Sequence, residues 1–178
     1  MDDLALTDAL NKRDPAAARL LVEQHFDPLY RFLRQLTRHV EDAEDLAQQT
    51  LIRVHRNAAK FDGRVRLRTW IFAIALAEYR RWRRRRLWLP LLCDTPSKGD
   101  LAENTADSEV LLCALSKLSP SMRASFLLHY VEGLSIEEIA VIEGVPEGTV
   151  KSRLHFARTR LKTLLEQEEF YVTEPCQP

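Results

Sequence analysis

The segment LSIEEIAVIEGVPEGTVKSRL, residues 134–154, restricts the possible fold of this chain more than any other segment. Ser135 and Glu138 have the spacing of a capping box, in which each side chain accepts a hydrogen bond from the other residue's backbone N–H, and which marks where a helix begins. Gly144 and Pro146 then favour a tight turn before a second, longer helix. The segment therefore predicts a helix-turn-helix.

The second helix of this motif, expected from about residue 148 to 168, separates two surfaces on a helical wheel. Its apolar residues converge on one side, which we expect to be buried: Val150, Leu154, Ala157, Leu161, Leu164 and Leu165. The opposite side carries Ser152, His155, Phe156 and Thr159, flanked by Lys151, Arg158 and Lys162 on one edge and by Arg153 and Arg160 on the other. A polar surface between two rows of cations is typical of a helix in the DNA major groove.

An ordinary solvent-exposed helix with an arginine-rich face is the alternative interpretation of this pattern. Such faces usually mix charges of both signs, whereas residues 151–162 contain five cations and no acid. Phe156 is also unusual on a solvent-exposed face, but it could contact the methyl group of a thymine. We therefore favour DNA binding for this helix.

Helical periodicity covers most of the chain, and no strand-like alternation of apolar and polar residues occurs. A hydrophobic fraction of 46% and only five glycines fit a helical globular protein. Asp-Pro pairs at residues 14–15 and 27–28 each predict the start of a helix. Further helices are expected over about residues 42–59, from about residue 69 onwards, and in short segments between residues 108 and 142.

Residues 90–107 interrupt the helical pattern with two prolines, a glycine and mostly small or acidic residues. This composition is typical of a linker between domains. The predicted fold class is all-α, with two small helical domains joined by a flexible acidic linker. The predicted domains are residues 1–89 and 108–168, with the linker at 90–107 and a tail at 169–178.

Charge is strongly segregated along the chain, although its 26 basic and 26 acidic residues balance. Residues 64–86 hold nine arginines and one acid, and such blocks create local fields that the net charge does not reveal. The longest apolar run, residues 70–77, is far shorter than the roughly 20 residues of a membrane span. The acidic start of the chain is unlike a signal peptide. We expect a cytoplasmic protein without direct membrane insertion.

The sequence contains no recognisable catalytic or metal-binding pattern. Cys93, Cys113 and Cys176 are scattered without paired spacing, which argues against a zinc site or a disulfide framework. A redox or metal role for one of them stays open, but a cysteine more often packs as a small apolar residue. No phosphate-binding glycine loop and no nucleophile beside a base is found. We expect no enzyme activity, no cofactor and no metal.

The predicted helix at residues 42–59 has one polar face with an apolar residue at its centre. An apolar centre with a polar rim is typical of a protein interface, although single exposed apolar residues are common. The apolar residue is Ile52, and the face consists of Asp45, Gln48, Gln49, Ile52, His55 and Arg56.

Residues 61–86 combine a basic loop, two tryptophans and a run of arginines. Aromatic rings beside arginines suit single-stranded nucleic acid, because unstacked bases pack on the rings while the cations hold the backbone. The alternative is that the apolar residues of this segment fill the core, and we expect most of them to do so. The residues expected at the surface are Arg64, Arg66, Arg68, Tyr79, Arg80, Trp82, Arg83 and Arg84.

Three segments together resemble the sigma-70 family of bacterial transcription initiation factors, and in particular its small extracytoplasmic-function group. They are DAEDLAQQTLIRVHR, FDGRVRLRTWIFAIA and LSIEEIAVIEGVPEGTVKSRLHFARTRLKTLL, which look like the region 2 and region 4 signatures in the family's order. The resemblance covers roughly residues 10–88 and 108–167. It implies a factor that binds core RNA polymerase, directs promoter recognition, DNA melting and initiation, and is controlled by an anti-sigma factor.

The resemblance also implies roles for the surfaces described above. The face around Ile52 would bind core polymerase. The −35 element of promoter DNA would be read as a duplex by Lys151, Ser152, Arg153, His155, Phe156 and Arg158. The melted −10 element would be held by Asp62, Arg64, Arg66, Arg68, Tyr79, Arg80, Trp82, Arg83 and Arg84.

The sequence departs from the family pattern at three positions. Gln49 stands where the family usually has Glu, Ala77 where Asn is frequent, and Phe156 where a basic residue is frequent. The sequence leaves two other functions open: a stand-alone helix-turn-helix regulator that binds duplex DNA as a dimer, and a helical protein-binding module. The first leaves the basic, aromatic segment at residues 64–86 unexplained.

Overall fold

The structure, a computed structural model, describes residues 2–88 and 113–172, with side chains described for residues 2–86 and 113–166. The regular secondary structure within these ranges is helical, which confirms the predicted all-α fold class. The first range contains α1 (Asp3–Asn11), α2 (Pro15–Thr37), α3 (Val40–Arg56), a 3-10 turn (Ala58–Lys60) and α4 (Leu67–Trp88). In the second range residues 113–116 are helical, and then follow α5 (Pro120–Tyr130), α6 (Ile136–Glu143) and α7 (Glu147–Val172). The predicted linker at 90–107 and the end of the predicted tail lie outside the described residues.

The two Asp-Pro pairs behave differently. Asp14 caps α2, because its side chain accepts a hydrogen bond from the backbone N–H of Ala16 at 2.9 Å and Pro15 occupies the first helical position. The helix start predicted at Asp27 is wrong, because α2 continues through Pro28 without a break. Proline removes one backbone hydrogen bond from a helix interior. The apolar face on both sides of it stays buried against the core and keeps the helix continuous; it includes Leu21, Leu29, Phe32, Leu33 and Leu36.

The N-terminal core lies between α2, α3 and α4. The rings of Phe32 on α2 and Phe72 on α4 meet edge to face, with 5.3 Å between centroids and 76° between planes. Both side chains are fully buried, and truncation of such a ring to alanine typically costs about 3–5 kcal/mol. Polar contacts add to this packing: Arg53 Nη1 on α3 lies 2.7 Å from Oε1 of the buried Glu78 on α4.

The helix-turn-helix is formed by α6 and α7, as predicted. Ser135 Oγ accepts from the Glu138 N–H at 3.2 Å, and Glu138 Oε2 accepts from the Ser135 N–H at 3.0 Å, so the capping box is present. Gly144 ends α6 in the left-handed conformation, with a φ of 67°, which a side chain would disfavour. The apolar side of α7 is buried as the wheel predicted, except that Leu165 is half-buried.

The two parts of the chain pack against each other. Helix α6 lies along α4, and α5 contacts α2. Their buried apolar side chains join into one hydrophobic cluster. This close packing was not part of the sequence-based prediction, which described two domains on a flexible linker.

Candidate nucleic-acid and protein interfaces

The outward face of α7 is exposed along its first four turns. Phe156 is 57% exposed, and its ring meets that of His155 with centroids 5.6 Å apart. Ser152 Oγ donates to the Gly148 carbonyl at 2.9 Å, which leaves its lone pairs able to accept from a ligand. Lys151 lies 3.6 Å from the exposed Glu147, and such an exposed pair is readily exchanged for another anion. The exposed members of this surface are Lys151, Ser152, His155, Phe156, Arg158, Thr159 and Arg160.

Arg153, which is predicted to bind duplex DNA, is not exposed in the structure. It is half-buried, and its guanidinium is paired with the carboxylate of Glu143 at the end of α6. Glu143 is buried and also accepts a hydrogen bond from Ser125 on α5. A buried carboxylate needs such partners, because taking an unpaired charge out of water is costly. Arg153 therefore has a structural role in the helix-turn-helix, and its contact with DNA stays a prediction.

The outward face of α3 matches the wheel. Ile52 is 50% exposed at the centre of the face, and His55 is half-buried at its edge. The other members, Asp45, Gln48, Gln49 and Arg56, are exposed. On the opposite side of α3, Ala43, Leu46, Ala47, Leu51 and Val54 are buried in the core. The structure thus presents one branched apolar side chain within a polar surface.

The basic loop before α4 is held in place by contacts at both of its ends. The Arg64 N–H donates to Asp62 Oδ1 at 3.1 Å, and Gly63 has a φ of 73°. A Cβ at Gly63 would approach Leu4 of α1 to 3.0 Å, so glycine allows the close contact between loop and α1. At the other end, Asp3 Oδ2 accepts from the Leu67 N–H at 2.7 Å and caps α4. The loop side chains Asp62, Arg64 and Arg66 remain exposed.

The expectation that Tyr79 lies at the surface is wrong, because its side chain is only 4% exposed. Phe72, Leu76 and Tyr79 follow one another at helical spacing and extend the buried face of α4 by one turn. The Tyr79 ring stacks on Trp82, with 5.8 Å between centroids. Tyr79 therefore supports Trp82 from the core side.

Trp82 and the arginines after it lie near α3. Trp82 Nε1 donates to Asp42 Oδ1 at 3.0 Å, and the Arg86 guanidinium pairs with Asp42 while lying 5.3 Å from the Trp82 ring centroid. Trp82 and Arg83 are half-buried, and Arg84 is exposed. Asp42 fixes the orientation of the indole, a role that the sequence did not reveal.

Arg68 and Arg80, the remaining predicted strand-binding residues, contact the C-terminal part of the chain. Arg68 Nη2 lies 2.6 Å from Glu132 Oε2, and both Arg80 Nη atoms lie within 3.4 Å of the Glu143 carbonyl oxygen. Next to Arg68, Thr69 Oγ1 donates a hydrogen bond to Glu138 Oε1 at 3.0 Å. The predicted surfaces on α3, on α7 and in the loop before α4 are therefore present in the structure. Part of the basic face of α4, in contrast, is covered by contacts with the C-terminal part of the same chain.

Comparison with known proteins identifies the family. The model of sigma-70 region 2 matches residues 21–89, and that of sigma-70 region 4 matches residues 108–161. The chain is 31% identical over 162 residues to the ECF RNA polymerase sigma factor SigL of Mycobacterium tuberculosis, a match covering 86% of this chain and 92% of SigL. The chain belongs to the extracytoplasmic-function group of the sigma-70 family.

Two further comparisons agree with this family. The chain is 36% identical over 155 residues to the ECF RNA polymerase sigma factor SigE of Mycolicibacterium smegmatis, across 82% of this chain but only 60% of SigE. The chain thus spans about three fifths of the length of that relative. A solved structure of the sigma factor RpoE in complex with the anti-sigma factor NepR, from Bartonella quintana, is similar with a TM-score of 0.72 and 28% identity, covering 83% of this chain and 96% of RpoE.

Within this sigma factor, α3 and α4 lie in the region 2 match, and α5 and α6 lie in the region 4 match with the first half of α7. The three departures from the family pattern, Gln49, Ala77 and Phe156, are all exposed. They therefore change the chemistry of the surface and leave the core intact. Among the described helices, none is long and apolar enough to cross a membrane.

Four acidic residues that organise these surfaces were missed by sequence reasoning: Asp3, Asp42, Glu132 and Glu143. Each contacts a partner that is distant in sequence, such as Leu67 for Asp3 and Arg68 for Glu132. Burial of a carboxylate is not visible in a local pattern. The available signal was weak: Glu143 is a charged residue at a helical position that adjoins the apolar side of α6.

Proposed function

We propose that this chain is the promoter-specificity subunit of a bacterial RNA polymerase, and that it directs promoter recognition, DNA melting and transcription initiation. The observation that carries the proposal is that one chain of the sigma-70 family presents an exposed basic face on α7 and, separately, a polar face on α3 with the exposed Ile52 at its centre. The polymerase would supply the active site. Since polymerase and chromosome share the bacterial cytoplasm, this function assigns the chain to that compartment.

The α7 surface would read the −35 element as duplex DNA. Lys151 and Arg158 would meet phosphates, while Ser152, His155 and Phe156 would face base edges. Arg153 belongs to the same proposed set, and its guanidinium is also paired with Glu143. The contact of the exposed Phe156 ring with a thymine methyl would favour thymine at one position of the element.

The loop before α4 and the face of α4 would hold the melted −10 strand. Arg64 and Arg66 are exposed beside Asp62, in a loop whose conformation is fixed by Gly63 and by the cap of α4. Cations there would hold the strand's phosphates while unstacked bases pack on an aromatic ring. Trp82, supported by Tyr79, would provide that ring. The proposed set is Asp62, Arg64, Arg66, Arg68, Tyr79, Arg80, Trp82, Arg83 and Arg84, with Tyr79 acting through Trp82.

The α3 face would bind core RNA polymerase. Its exposed Ile52 would enter an apolar pocket of the partner, and the polar side chains around it would form the rim. These rim residues are Asp45, Gln48, Gln49, His55 and Arg56. Gln49, where a carboxylate is usual in the family, removes one charge from this rim.

An anti-sigma factor is the second proposed protein partner. The similar sigma factor RpoE was solved with the anti-sigma factor NepR, which supports this proposal. The division into domains at residues 1–89 and 108–168, with a linker at 90–107 and a tail at 169–178, also remains our proposal. It agrees with the ranges of the two family matches.

Run-off transcription with purified core polymerase tests this function. We expect specific transcripts from a pool of genomic promoters with the chain present, and none of them with core polymerase alone. A dimer that binds palindromic duplex DNA equally well without polymerase would instead indicate a stand-alone regulator. Unchanged activity after charge reversal at the exposed Lys151 and Arg158 would indicate a protein-binding module.

A further inference from the structure

The N-terminal helix α1 contacts the basic loop before α4 at two points. Leu4 packs against the loop at Gly63, where an added Cβ would lie 3.0 Å from Leu4 Cδ2. Asp3 Oδ2 accepts a hydrogen bond from the Leu67 N–H at 2.7 Å. That N–H is one of the backbone donors that a helix N-terminus leaves without a partner inside the helix. Two adjacent residues of α1 thus contact the middle of the loop and its end.

The first turn of α1 is itself held in place by the core. Leu6 and Leu10 are 3% and 1% exposed, and α1 packs against α2 and against the 3-10 turn that precedes the loop. Thr7 is buried as well, and its Oγ1 donates to the carbonyls of Asp3 and Leu4, each at 3.0 Å. The backbone that carries the two loop contacts is therefore fixed to the body of the protein.

Between its two ends the loop is largely exposed to solvent. Residues 62–66 lie between the buried Phe61 and the buried Leu67. Within this stretch Val65 is half-buried, and the other four residues are exposed. An exposed loop that becomes ordered only when it binds a ligand loses conformational entropy, whereas a loop already held in its bound form avoids that cost. The contacts from α1 therefore affect how tightly the loop can bind.

The family comparison gives α1 no role, because the region 2 match begins at residue 21. We propose that α1 is a positioning element for the −10 strand. Asp3 and Leu4 hold residues 62–66 in the conformation that binds the melted strand, while Arg64 and Arg66 make the contacts with it. The support of the loop by α1 stands on the structure, whereas its effect on DNA rests on the proposed function.

The charge of Asp3 separates positioning from a direct electrostatic effect. Loss of an acid close to a nucleic-acid site should by charge alone tighten the binding of phosphates. Positioning predicts the opposite for Asp3→Ala, because the Leu67 N–H loses its acceptor and the loop loosens. Asp8 provides the matched control. It is exposed on the same helix, pairs with Lys12 at 3.0 Å and takes no part in the two loop contacts.

Hydrogen–deuterium exchange of the full chain tests the support of the loop in the absence of DNA. We expect Asp3→Ala to speed exchange in the peptide that spans residues 62–68 about tenfold, because a hydrogen bond to a charged acceptor is lost. Leu4→Ala should also speed it, and it guards against unfolding of Asp3→Ala, because Leu4 is 52% exposed. Asp3→Asn keeps an acceptor oxygen and should retain slow exchange. Asp8→Ala should match the wild type. Unchanged exchange in Asp3→Ala and Leu4→Ala overturns the proposal.

Strand affinity is measured with the chain bound to core polymerase. The probe is a fluorescent single-stranded oligonucleotide with the −10 element of a promoter found by run-off transcription. We expect Asp3→Ala and Leu4→Ala to weaken binding about five- to tenfold, since the strand must now order the loop. Asp3→Asn should bind almost as tightly as the wild type, as should Leu4→Met, which conserves the side-chain volume. Asp8→Ala should not weaken binding.

The two measurements separate failure of this proposal from failure of the proposed function. Wild-type affinity in variants whose loop exchanges faster overturns the positioning role, although the proposed function stands. If the wild-type chain with core polymerase does not bind the strand, the proposed function fails and the role in strand binding fails with it. The exchange data then still show whether α1 holds the loop.

Discussion

The carboxylate of Glu143 on α6 and the guanidinium of Arg153 on α7 form an ion pair inside the helix-turn-helix. Ser125 on α5 donates to the same carboxylate, so one buried acid joins three helices of region 4. Arg80 of region 2 contacts the backbone carbonyl of the same residue. Glu143 therefore takes part both in the packing of the helix-turn-helix and in the contact between region 2 and region 4.

Arg153→Ala should destabilise region 4 strongly. The substitution leaves the carboxylate of Glu143 buried without its cation, and removing one partner of a buried pair costs about 3–5 kcal/mol. Arg160→Ala, at an exposed position of the same helix, should cost far less. Thermal denaturation followed by circular dichroism measures both, and equal melting temperatures for the two variants would show that the pair is dispensable.

The double variant Glu143→Leu with Arg153→Met should recover much of that stability, because it removes both charges and leaves no unpaired charge in the interior. If stability does not recover, the loss in Arg153→Ala came from packing of the arginine stem. The recovered protein also separates structure from recognition. It should have a shallower salt dependence of duplex binding if Arg153 contacts phosphate.

Phe156→Ala should weaken binding of −35 duplex DNA without weakening the fold, because the ring is mostly exposed. A lost thymine-methyl contact is expected to reduce affinity by roughly five- to tenfold, about 1 kcal/mol. Duplexes in which each thymine in turn is replaced by uracil, which lacks the methyl group, locate the contact. At that position the wild type should lose affinity and Phe156→Ala should not. Equal sensitivity of both proteins at every position would contradict the contact.

Ile52→Asp should weaken binding to core polymerase and leave the melting temperature nearly unchanged. The side chain is 50% exposed, so its replacement costs little packing, whereas a charge at the centre of an apolar contact is unfavourable. Val22→Asp is a matched control, since Val22 is 47% exposed and lies on α2, which contributes no residue to the proposed polymerase-binding face. Early melting of Ile52→Asp would mean that the residue belongs to the core.

The stability of the protein should fall as the pH decreases below the normal pKa of histidine. Burial is the main cause that lowers the pKa of His25 below 6.5, with Asp3 opposing this shift and Arg68 adding to it. The unfolded chain therefore binds a proton at a pH where the folded chain does not, and protonation favours unfolding. Urea denaturation at pH 7.5, 6.5 and 5.5 should reveal a smaller decline for His25→Gln than for the wild type. An equal decline would assign the acid sensitivity to other groups.

Local patterns in the sequence predicted the features that local interactions determine. The capping box at Ser135, the turn at Gly144 and the exposure of Ile52 and Phe156 all follow from spacing along one helix, and the structure confirms them. The helix start at Asp27 was wrong because tertiary packing keeps α2 continuous through Pro28.

Contacts between distant residues could not be predicted in the same way. Tyr79 was expected at the surface, but helical spacing continues the buried face to that residue. Glu132 and Arg68 are 64 residues apart in sequence, and no pattern within either segment indicates their pairing. The surfaces themselves were therefore predictable, whereas their occupation by the chain's own acids required the structure.

The proposed function depends most on the association of this chain with core RNA polymerase and on the promoter choice that follows. The most direct measurement is run-off transcription by purified core enzyme with wild-type chain, Ile52→Asp or no addition, on one promoter pool. We predict discrete start sites with the wild type, strongly reduced signal at the same sites with Ile52→Asp, and no such sites with core enzyme alone. The same start sites in all three reactions would contradict the proposed function.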